Sequence, residues 1–464
     1  MTVAQNVLVV TLDDVGMADV ASLQAEVIPT SSAYPRTPVI DAMKAAGVWF
    51  RNHWVQPSCS PTRGTWWTAR HPFRTGAEVV IQPDALDGFI SQNESFLFER
   101  IKNSVPDDIN CSLFGKWHVT DDSEASGGEN APELAGADKS YWQRGNIGGL
   151  NTYNSWEAIE DGVNLGFITD YNTTKLVDEC IAHVNSLAST QRWHAQLHFA
   201  APHSPYHEPP IGLTTFDAAD TPVNGYGFAN LPDSDEWPAM LEALDTELGR
   251  LFGVSGLDLA GGSNGWTYAN TLVIVCSDNG TPGVWTQPPV GISQPSKGFT
   301  SWSGTCVPMI ARGAGVTGTD RMITHPVSSC DLGPTVIHAL GGNPADMGET
   351  TIDGVSWLPL SSDPAANPTR DYAWAERRSA GVADRYGIAS GRYHVIRTID
   401  EGVAAVGFYD TVLDPQEATN LLDAPLTQPQ QEIFTRLVRK MDRLIAIGND
   451  RARKEEPVSV RFDE

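Results

Sequence analysis

The stretch NVLVVTLDD, residues 6–14, decides the fold class of this chain. Its residues 7–12 are almost continuously apolar, which is typical of a strand buried on both faces in a parallel sheet. Similar apolar runs recur at residues 111–114, 195–200 and 272–276. Helix patterns lie between the runs at residues 37–46, 173–187 and 237–252. We therefore predict an α/β fold over residues 1–360, with a largely parallel central sheet flanked by helices.

The character of the sequence changes between residues 341 and 370, where Gly, Asn, Asp, Ser and Pro are typical of turns and a linker. Short strand-like pieces follow at residues 372–375, 386–389, 393–396 and 406–409. A helix pattern then runs from about residue 430 to 447. These patterns predict a smaller C-terminal α+β domain over residues 361–464, with an antiparallel sheet, a terminal helix and a charged tail.

Residues 120–167 are rich in Gly, Asn, Asp and Ser. This composition predicts long surface loops, which are a usual place for substrate selectivity.

Charge and composition exclude several classes of protein. The 464 residues carry a net charge of −26, which argues against a surface for nucleic acid, because phosphate binding needs clustered Lys and Arg. No apolar run reaches membrane-spanning length, so we expect no membrane insertion. No secretion signal is visible, so a cytoplasmic location is the expectation unless a leader was trimmed. The six cysteines are scattered without a CxxC pair, which argues against a zinc site or a disulfide framework.

Residues with functional chemistry follow four of the predicted strands directly. They are Asp13-Asp14, Gly115-Lys116-Trp117-His118, Ala201-Pro202-His203 and Ser277-Asp278-Asn279-Gly280. Open parallel sheets bind their ligands beyond the carboxyl ends of the strands. We therefore expect these side chains to meet at one edge of the sheet.

Asp13, Asp14, Asp278 and Asn279 offer hard oxygen donors, which suit Ca²⁺ or Mg²⁺ and suit zinc poorly. Taken one at a time, the pairs have ordinary structural explanations: a strand end that caps a helix, and a tight turn. The two pairs together favour a metal site.

Cys59 lies in the segment PSCSPTRG, residues 57–64, just before a predicted helix at residues 62–70. A helix N-terminus favours anionic groups. Cys59 is therefore a candidate thiol nucleophile with His118 or His203 as its base. A small buried thiol is the structural alternative.

The segment Cys59-Ser60-Pro61-Thr62-Arg63 resembles the C-x-P-x-R signature of the formylglycine-dependent sulfatases, an arylsulfatase-like family of the alkaline phosphatase superfamily. Further segments resemble the family in its order: TLDDVG (11–16), TPVIDAMKAAGVWFRN (37–52), GKWH (115–118), APHSP (201–205), SDNG (277–280), Lys297-Gly298, Val307-Pro308, DLGPTV (331–336) and FYDTVLDPQEATNL (408–421). The likeness spans most of the chain and implies an alkaline-phosphatase-like sheet and a sulfuric ester hydrolase.

The resemblance also implies roles for the matched residues. A formylglycine-generating enzyme would oxidise Cys59 to an aldehyde, and one hydroxyl of the hydrated aldehyde would attack sulfur. A divalent cation, usually Ca²⁺ with Mg²⁺ or Mn²⁺ as alternatives, would be held by Asp13, Asp14, Cys59, Asp278 and Asn279. Arg63 would stabilise the hydrated aldehyde, and His118 would take a proton from its second hydroxyl, which releases sulfate by C–O cleavage.

The resemblance places Lys116, His203 and Lys297 against the sulfate oxygens, and His203 or Lys297 would protonate the leaving oxygen. Clustered cations should lower the pKa values of neighbouring Lys and His side chains. His207 and Glu208 are candidate substrate contacts. Trp66 and Trp67 are bulky for the family, and either shape the pocket or pack in the core.

Three alternatives remain at this point. The first is a phosphonate monoester or phosphodiester hydrolase that uses the same formylglycine, since sulfate and phosphate groups have similar size and geometry. The second is a non-catalytic protein that binds an anion or calcium, and the third is a hydrolase that uses the unmodified Cys59 thiol. The substrate is expected to be a small-molecule or sugar sulfate ester, and the sequence leaves open whether the chain forms a homo-oligomer.

Overall fold

The computed structural model of the chain describes residues 4–27, 35–82, 89–214, 236–283, 296–345, 351–378 and 382–454. Its strands, in chain order, are β1 (Asn6–Leu12), β2 (Val48–Phe50), β3 (His53–Trp54), β4 (Ile109–Lys116), β5 (Lys139–Gln143), β6 (Trp156–Glu160), β7 (Val163–Ile168), β8 (Arg192–His198), β9 (Thr271–Ser277), β10 (Met309–Gly313), β11 (Arg321–Ile323), β12 (Val327–Ser328), β13 (Ala373–Arg377), β14 (Asp384–Ala389), β15 (Tyr393–Asp400) and β16 (Val403–Asp410).

The α-helices are α1 (Ala21–Val27), α2 (Pro38–Ala45), α3 (Cys59–Thr68), α4 (Pro72–Thr75), α5 (Leu97–Ser104), α6 (Ala131–Leu134), α7 (Asn172–Ser186), α8 (Glu236–Phe252), α9 (Trp302–Thr305), α10 (Leu332–Ala339), α11 (Leu358–Ser362) and α12 (Gln428–Lys454). Short 3-10 helices lie at Met17–Asp19, Glu124–Ser126, Gly128–Asn130, Ser329–Asp331 and Leu421–Asp423. Across the described ranges, no helix combines the length and the apolar character that a bilayer crossing requires.

A ten-stranded sheet forms the centre of the fold, with the order β11-β2-β10-β9-β1-β8-β4-β5-β6-β7. Its five middle strands, β9-β1-β8-β4-β5, are all parallel to one another. Antiparallel neighbours join this block on both sides, through β10 on β9 and β6 on β5. The prediction of a largely parallel central sheet is therefore confirmed.

Strand β1 shows why its sequence is apolar on both faces. Leu8 and Val10 belong to one buried cluster, whereas Val7 and Val9 belong to a second cluster on the opposite face. Successive side chains of a strand point to opposite faces, so a central strand covered by helices on both sides needs apolar residues throughout.

The C-terminal part carries the predicted antiparallel sheet, with the order β13-β14-β15-β16. Long helix α12 covers one face of this sheet, and the two share a buried cluster that includes Trp374, Phe408 and Met441. The ten-stranded sheet lies within residues 1–360 and the small sheet within residues 361–464. The domain boundary near residue 360 stays a prediction. Most of the charged tail, residues 455–464, lies outside the described residues.

Two local predictions were wrong. Residues 120–167 were expected to form long loops, but they hold β5, β6, β7 and α6 as well as turns. The strand pattern was obscured because β7 lies at the edge of the sheet and exposes Val163, Leu165 and Phe167, so no buried apolar run marks it. The helix expected at residues 62–70 begins earlier, at Cys59. Pro61 is tolerated there because the N–H groups of a first turn have no partner within the helix.

Candidate active site

The carboxyl ends of β9, β1, β8 and β4 meet at one edge of the central sheet, as the sequence predicted for parallel strands. The backbone ties these ends together, because Asp13 N donates to Ala201 O at 3.1 Å and Asp278 N donates to Leu12 O at 3.2 Å. These hydrogen bonds fix the backbone at the start of the turns that carry the predicted metal ligands.

Asp13 and Asp14 are buried at this edge, with side chains that face cationic partners. Asp14 Oδ1 accepts hydrogen bonds from Lys297 Nζ at 2.5 Å and from Asn279 Nδ2 at 2.6 Å. Burial alone would raise the pKa of Asp14, but Lys297 and His203 outweigh burial and lower it. Asp14 also has a left-handed backbone with φ +70°, which costs a non-glycine residue energy and is common at functional sites.

Cys59 is the first residue of helix α3 and is 1% exposed. Its Sγ lies 3.9 Å from Asp13 Oδ1. The ligand atoms of Asp13, Asp14, Cys59 and His203 all lie within 4.8 Å of one another. Burial raises the pKa of the Cys59 thiol to about 12, against the opposing effects of Lys116 and Lys297. An unmodified thiol here stays protonated at neutral pH.

Arg63 lies one turn further along α3 and is fully buried among carboxylates. Its Nη2 donates to Asp278 Oδ2 at 2.8 Å and to Asp13 Oδ2 at 3.3 Å, and its Nε donates to Asp278 Oδ2 at 3.0 Å. The guanidinium therefore joins the two acidic turns. Burial would lower the pKa of Arg63, but Asp278 and Asp13 raise it above its usual value.

Two lysines balance the remaining carboxylate charge. Lys116, the last residue of β4, is fully buried, and its Nζ pairs with Asp13 Oδ2. Lys297 is 19% exposed and pairs with Asp14. The prediction that neighbouring cations lower the lysine pKa is wrong for Lys297. Burial does lower it, but Asp14 leads a group of anionic neighbours that raise the pKa of Lys297 well above its usual value.

Backbone hydrogen bonds hold the segment of Lys297 and Gly298 beside the site. Lys297 N donates to Thr281 O at 3.1 Å, and Gly298 N donates to Pro57 O at 2.6 Å. Gly298 has φ +86°, a conformation that glycine adopts without strain. Arg377 of β13 completes the turn by donating from Nη1 to Gly298 O at 2.9 Å. The small sheet therefore helps to hold the lysine loop.

His118 and His203 reach the site from two different strands. His118 has a left-handed backbone with φ +57°, and its Nε2 lies 2.9 Å from Ile81 O, which can only accept. Nε2 therefore carries the proton, and the buried Nδ1 has no hydrogen-bond partner among the described residues. Burial is the main reason that the pKa of His118 lies well below its usual value, and the positive charges of Lys116 and Arg63 lower it further. His118 thus offers an unprotonated nitrogen at neutral pH.

His203 follows β8 and is partly exposed at the open side of the site, with 14% of its side chain accessible. Its Nδ1 lies 2.7 Å from Ser204 O, and its Nε2 lies 3.8 Å from Asp14 Oδ2. Nδ1 therefore donates to the carbonyl, and Nε2 points at the carboxylate cluster. Burial lowers the pKa of His203, and the anionic Asp14 opposes that effect.

The donor set fits a hard divalent cation. Asn279 Oδ1 is buried without a hydrogen-bond partner among the described residues, although Asn279 Nδ2 is bonded to Asp14. An orphaned amide oxygen beside carboxylates is a ligand that a Ca²⁺ or Mg²⁺ ion would satisfy. Asp278 lies at the same edge, with Oδ1 accepting from Asp14 N at 3.3 Å and Oδ2 paired with Arg63.

The other singled-out residues lie around this centre. His207 stacks on Tyr153 at a ring distance of 4.4 Å, and its Nε2 lies 3.2 Å from Tyr171 Oη. Glu208 is exposed, and its side chain makes no hydrogen bond or ion pair with the described residues. Trp66 and Trp67 belong to the last turn of α3, are each 1% exposed, and pack into the buried core. The structure therefore supports the interpretation that the two tryptophans pack in the core, and not the alternative that they shape the pocket.

Sequence reasoning missed two supports of the site. Asp19 Oδ2 accepts from Gly16 N at 2.7 Å and from Thr281 Oγ1, so it joins the turn after β1 to the turn after β9. Tyr153 Oη lies 2.8 Å from Ala200 O and 2.7 Å from His203 O. The spacing of Gly16 and Asp19 resembles a helix cap and offered a local signal. The contacts of Tyr153 span about fifty residues and offered none.

Replacing Tyr153 by phenylalanine should lower the free energy of unfolding by about 1–2 kcal/mol, because Ala200 O and His203 O lose the one hydroxyl donor that they share. It should also loosen His203 and reduce kcat/KM modestly. Thermal melting and steady-state kinetics measure both effects. Tyr141→Phe is the matched control, since the Tyr141 side chain is 2% exposed and its hydroxyl makes no hydrogen bond with the described residues. Equal changes in the two variants would contradict the role of Tyr153.

Comparison with known proteins gives a consistent result. A family model described as "Sulfatase" matches residues 5–237, which is half of the chain. An "Uncharacterized sulfatase YdeN" of Escherichia coli (strain K12) is 27% identical over 419 residues, covering 80% of this chain and 68% of that protein. An N-acetylgalactosamine-6-sulfatase of Sus scrofa is 24% identical over 379 residues, covering 76% of this chain and 65% of that protein.

Solved structures share the fold. One, titled "Crystal structure of Ps i-CgsB in complex with k-i-k-neocarrahexaose", superposes with a TM-score of 0.74 at 21% identity. The superposition covers 96% of this chain and 93% of that chain.

Proposed function

The chain belongs to the sulfatase family of sulfuric ester hydrolases, and we propose that it cleaves sulfate monoesters with a formylglycine made from Cys59, beside a bound divalent cation. The observation that carries this proposal is the cluster at the first residue of α3. There the ligand atoms of Asp13, Asp14, Cys59 and His203 lie within 4.8 Å of one another. Arg63, Lys116 and Lys297 surround the cluster with positive charge.

The state of Cys59 supports modification over direct thiol chemistry. The thiolate is the reactive form of cysteine, and burial with a pKa raised to about 12 keeps this thiol protonated. Among the described residues, the Cys59 thiol hydrogen-bonds to a carboxylate, Asp13, and not to an imidazole base. A formylglycine at this position supplies, as its hydrate, one hydroxyl that serves as the nucleophile and a second that allows sulfate to leave.

We propose that Asp13, Asp14, Asp278 and Asn279 hold the cation together with residue 59. The four side chains offer carboxylate and amide oxygens, the donors that Ca²⁺ prefers, with Mg²⁺ and Mn²⁺ as alternatives. The cation would add positive charge against the sulfate oxygens. The unpartnered oxygen of Asn279 supports this assignment.

The chain's own cations and imidazoles divide the remaining tasks. Lys116 and Lys297 offer ammonium groups to sulfate oxygens, and preorganised charge of this kind is a large part of catalysis in a water-poor site. Lys297 is partly exposed and its raised pKa keeps it protonated, so it would donate the proton to the leaving oxygen. His203 holds its proton at Nδ1 against Ser204 O, and it would need a second proton at Nε2 to take over that task. His118 accepts a proton at Nδ1, because its Nε2 proton is committed to Ile81 O.

A sulfated saccharide is the substrate class that we propose. Two similar proteins have names that refer to sugars, an N-acetylgalactosamine-6-sulfatase and a protein solved with a neocarrahexaose. A polar cavity of about 160 Å³ also lies near the backbone of His118, since Arg144, which lines the cavity, accepts from His118 N at 2.7 Å. Its lining includes Asp122, Gln143, Arg144, Asn146, Asn151 and Glu157. Polar side chains at this density suit the hydroxyl groups of a sugar.

The pH dependence of turnover tests His118. Replacing it by alanine should lower kcat by about 10²- to 10⁴-fold, the usual range for a general base. Because the pKa of His118 lies well below 6.5, its unprotonated form persists below neutral pH. The ratio of wild-type to variant kcat should therefore stay constant between pH 6 and 8. A wild-type acid limb near pH 6.5 that disappears in His118→Ala would contradict this assignment.

The reaction itself is tested by assaying release of inorganic sulfate. Purified protein is incubated with 4-nitrophenyl sulfate and with a set of sulfated monosaccharides and oligosaccharides. We expect sulfate release from at least one sulfated sugar, and faster turnover of sulfate esters than of phenyl phosphonate esters or bis(4-nitrophenyl) phosphate. Preferential cleavage of the phosphorus esters would replace the proposal with a phosphonate or phosphodiester hydrolase.

A further inference from the structure

A row of polar side chains lies in the apolar core beneath the site. His194, Gln196 and His198 alternate along β8 and therefore share one face of the strand. All three are at most 1% exposed. The aromatic ring of His198 packs 5.8 Å from those of Trp66 and Trp67. Polar groups buried this deeply are costly unless they are hydrogen-bonded to one another.

These side chains form a continuous hydrogen-bonded relay. His194 Nδ1 lies 3.1 Å from Val7 O, and His194 Nε2 lies 3.0 Å from Gln196 Nε2. Gln196 Oε1 lies 2.9 Å from His198 Nε2. His198 Nδ1 lies 3.3 Å from Arg63 Nη1. The relay therefore runs from the backbone of β1 to the guanidinium of the site.

The Val7 carbonyl fixes the direction of every hydrogen bond in the relay. It can only accept, so His194 Nδ1 carries the proton, and His194 Nε2 accepts from the amide of Gln196. The amide oxygen of Gln196 then accepts from His198 Nε2. His198 Nδ1 is left with a lone pair, which accepts from Arg63 Nη1 at 3.3 Å. Lys116 O lies at the same distance from Nδ1, but a carbonyl cannot donate to it, and Arg63 Nη1 donates to both acceptors.

His198 completes the hydrogen bonding of Arg63. A guanidinium has five N–H donors. Three of them reach Asp278 and Asp13, and one from Nη1 reaches Lys116 O at 3.0 Å. The fifth reaches His198 Nδ1. This fifth contact adds to the four others that hold the plane of the guanidinium, and hence to the position of both carboxylates.

We propose that His198 is a positioning residue, which orients Arg63 through the buried relay and thereby sets Asp13 and Asp278 for cation binding. This inference rests on the proposed function for the role of the two carboxylates as ligands. Without the acceptor, one buried N–H of Arg63 has no partner, and rotation of the guanidinium weakens its grip on Asp278.

Two substitutions separate positioning from simple packing. Asparagine places its amide oxygen the same number of bonds from Cβ as Nδ1 of histidine, so His198→Asn keeps an acceptor for Arg63. Glutamine matches Nε2 instead, so His198→Gln keeps a partner for Gln196 but offers none to Arg63. Both variants lose the ring, and both should lower the melting temperature by similar amounts.

The readouts are Ca²⁺ affinity by isothermal titration calorimetry and kcat for 4-nitrophenyl sulfate or the best sulfated sugar. We expect His198→Gln to weaken Ca²⁺ binding by about 10- to 100-fold, the usual loss when a residue that supports a metal ligand is removed. His198→Asn should remain within about threefold of the wild type. If His198→Gln fails to fold, Gln196→Met interrupts the relay without touching Arg63 and should weaken binding by several-fold.

Equal Ca²⁺ affinity in wild type and His198→Gln, or equal losses in the Asn and Gln variants, would overturn the positioning role. If His198→Gln does not fold, unchanged Ca²⁺ affinity in Gln196→Met would overturn the positioning role as well. All three outcomes leave the proposed function standing, because the wild type still binds Ca²⁺ and releases sulfate. A wild-type protein that does neither contradicts the proposed function and removes the positioning role with it.

Discussion

Replacing Cys59 by alanine is expected to lower kcat/KM for sulfate esters by about 10⁴-fold or more while the fold remains intact. Removing a nucleophile that acts together with neighbouring catalytic groups typically lowers the rate by this factor or more. The fold should tolerate the change because alanine fits the first turn of α3 and removes one buried sulfur atom. Initial rates of sulfate release over a range of substrate concentrations measure the loss, and circular dichroism with thermal melting measures the fold.

Cys180→Ala is the matched control. Cys180 is also fully buried and lies on helix α7, away from the site. The control should lose a little stability and keep its turnover. Retention of turnover in Cys59→Ala would remove residue 59 from the chemistry and with it the formylglycine proposal.

The second large effect is expected from Asp14→Asn, which should lose Ca²⁺ affinity and turnover together. Removal of outer partners of metal ligands typically costs about 10- to 100-fold in affinity, so loss of a ligand should cost more than about 10²-fold. Asp14 is a cleaner target than Asp13. Loss of the Asp13 carboxylate would leave the fully buried Lys116 without its partner, whereas Lys297 is partly exposed to solvent.

Calorimetric titration with Ca²⁺ and kinetics before and after treatment with EDTA measure both quantities. Asp107→Asn is the matched control, since it removes the same charge from an exposed surface pair with Arg192. We expect that control to match the wild type. If the protein kept its full activity after EDTA treatment, with no metal added back, the cation assignment would be contradicted.

The fold was predictable where the sequence had a strong periodic signal. The run at residues 7–12 and the later runs ending near Phe114, Ala200 and Cys276 all became central parallel strands. The edge strand β7 was missed because it faces water, and its exposed Val163, Leu165 and Phe167 alternate without forming an apolar run. A buried strand needs apolar residues throughout, but an edge strand does not.

The position of the site was predictable because parallel strands place their carboxyl ends together. Asp13, Lys116 and Asp278 arise from three different strands, and the topology alone brings them to one edge. The pairing within the site was not predictable from spacing. Lys297 was expected to have a lowered pKa among cations, but its nearest partner is Asp14, and that pairing raises the pKa.

The supports beneath the site gave the weakest sequence signal. His198 sits in a strand that reads as apolar, and its partner Arg63 lies 135 positions earlier in the chain. Contacts of this kind follow from the packing of α3 on the sheet, and no local pattern encodes them. The direction of the relay depends on a backbone carbonyl, that of Val7, which has no side-chain signature at all.

Mass spectrometry of the tryptic peptide that contains residue 59, spanning residues 52–63, tests the central claim most directly. The protein should come from a host that contains a formylglycine-generating enzyme, and the peptide should be analysed with and without an aldehyde-reactive probe. We predict a sulfur-free aldehyde at residue 59 that the probe labels. A peptide that retains an unmodified thiol in fully active protein would contradict the account.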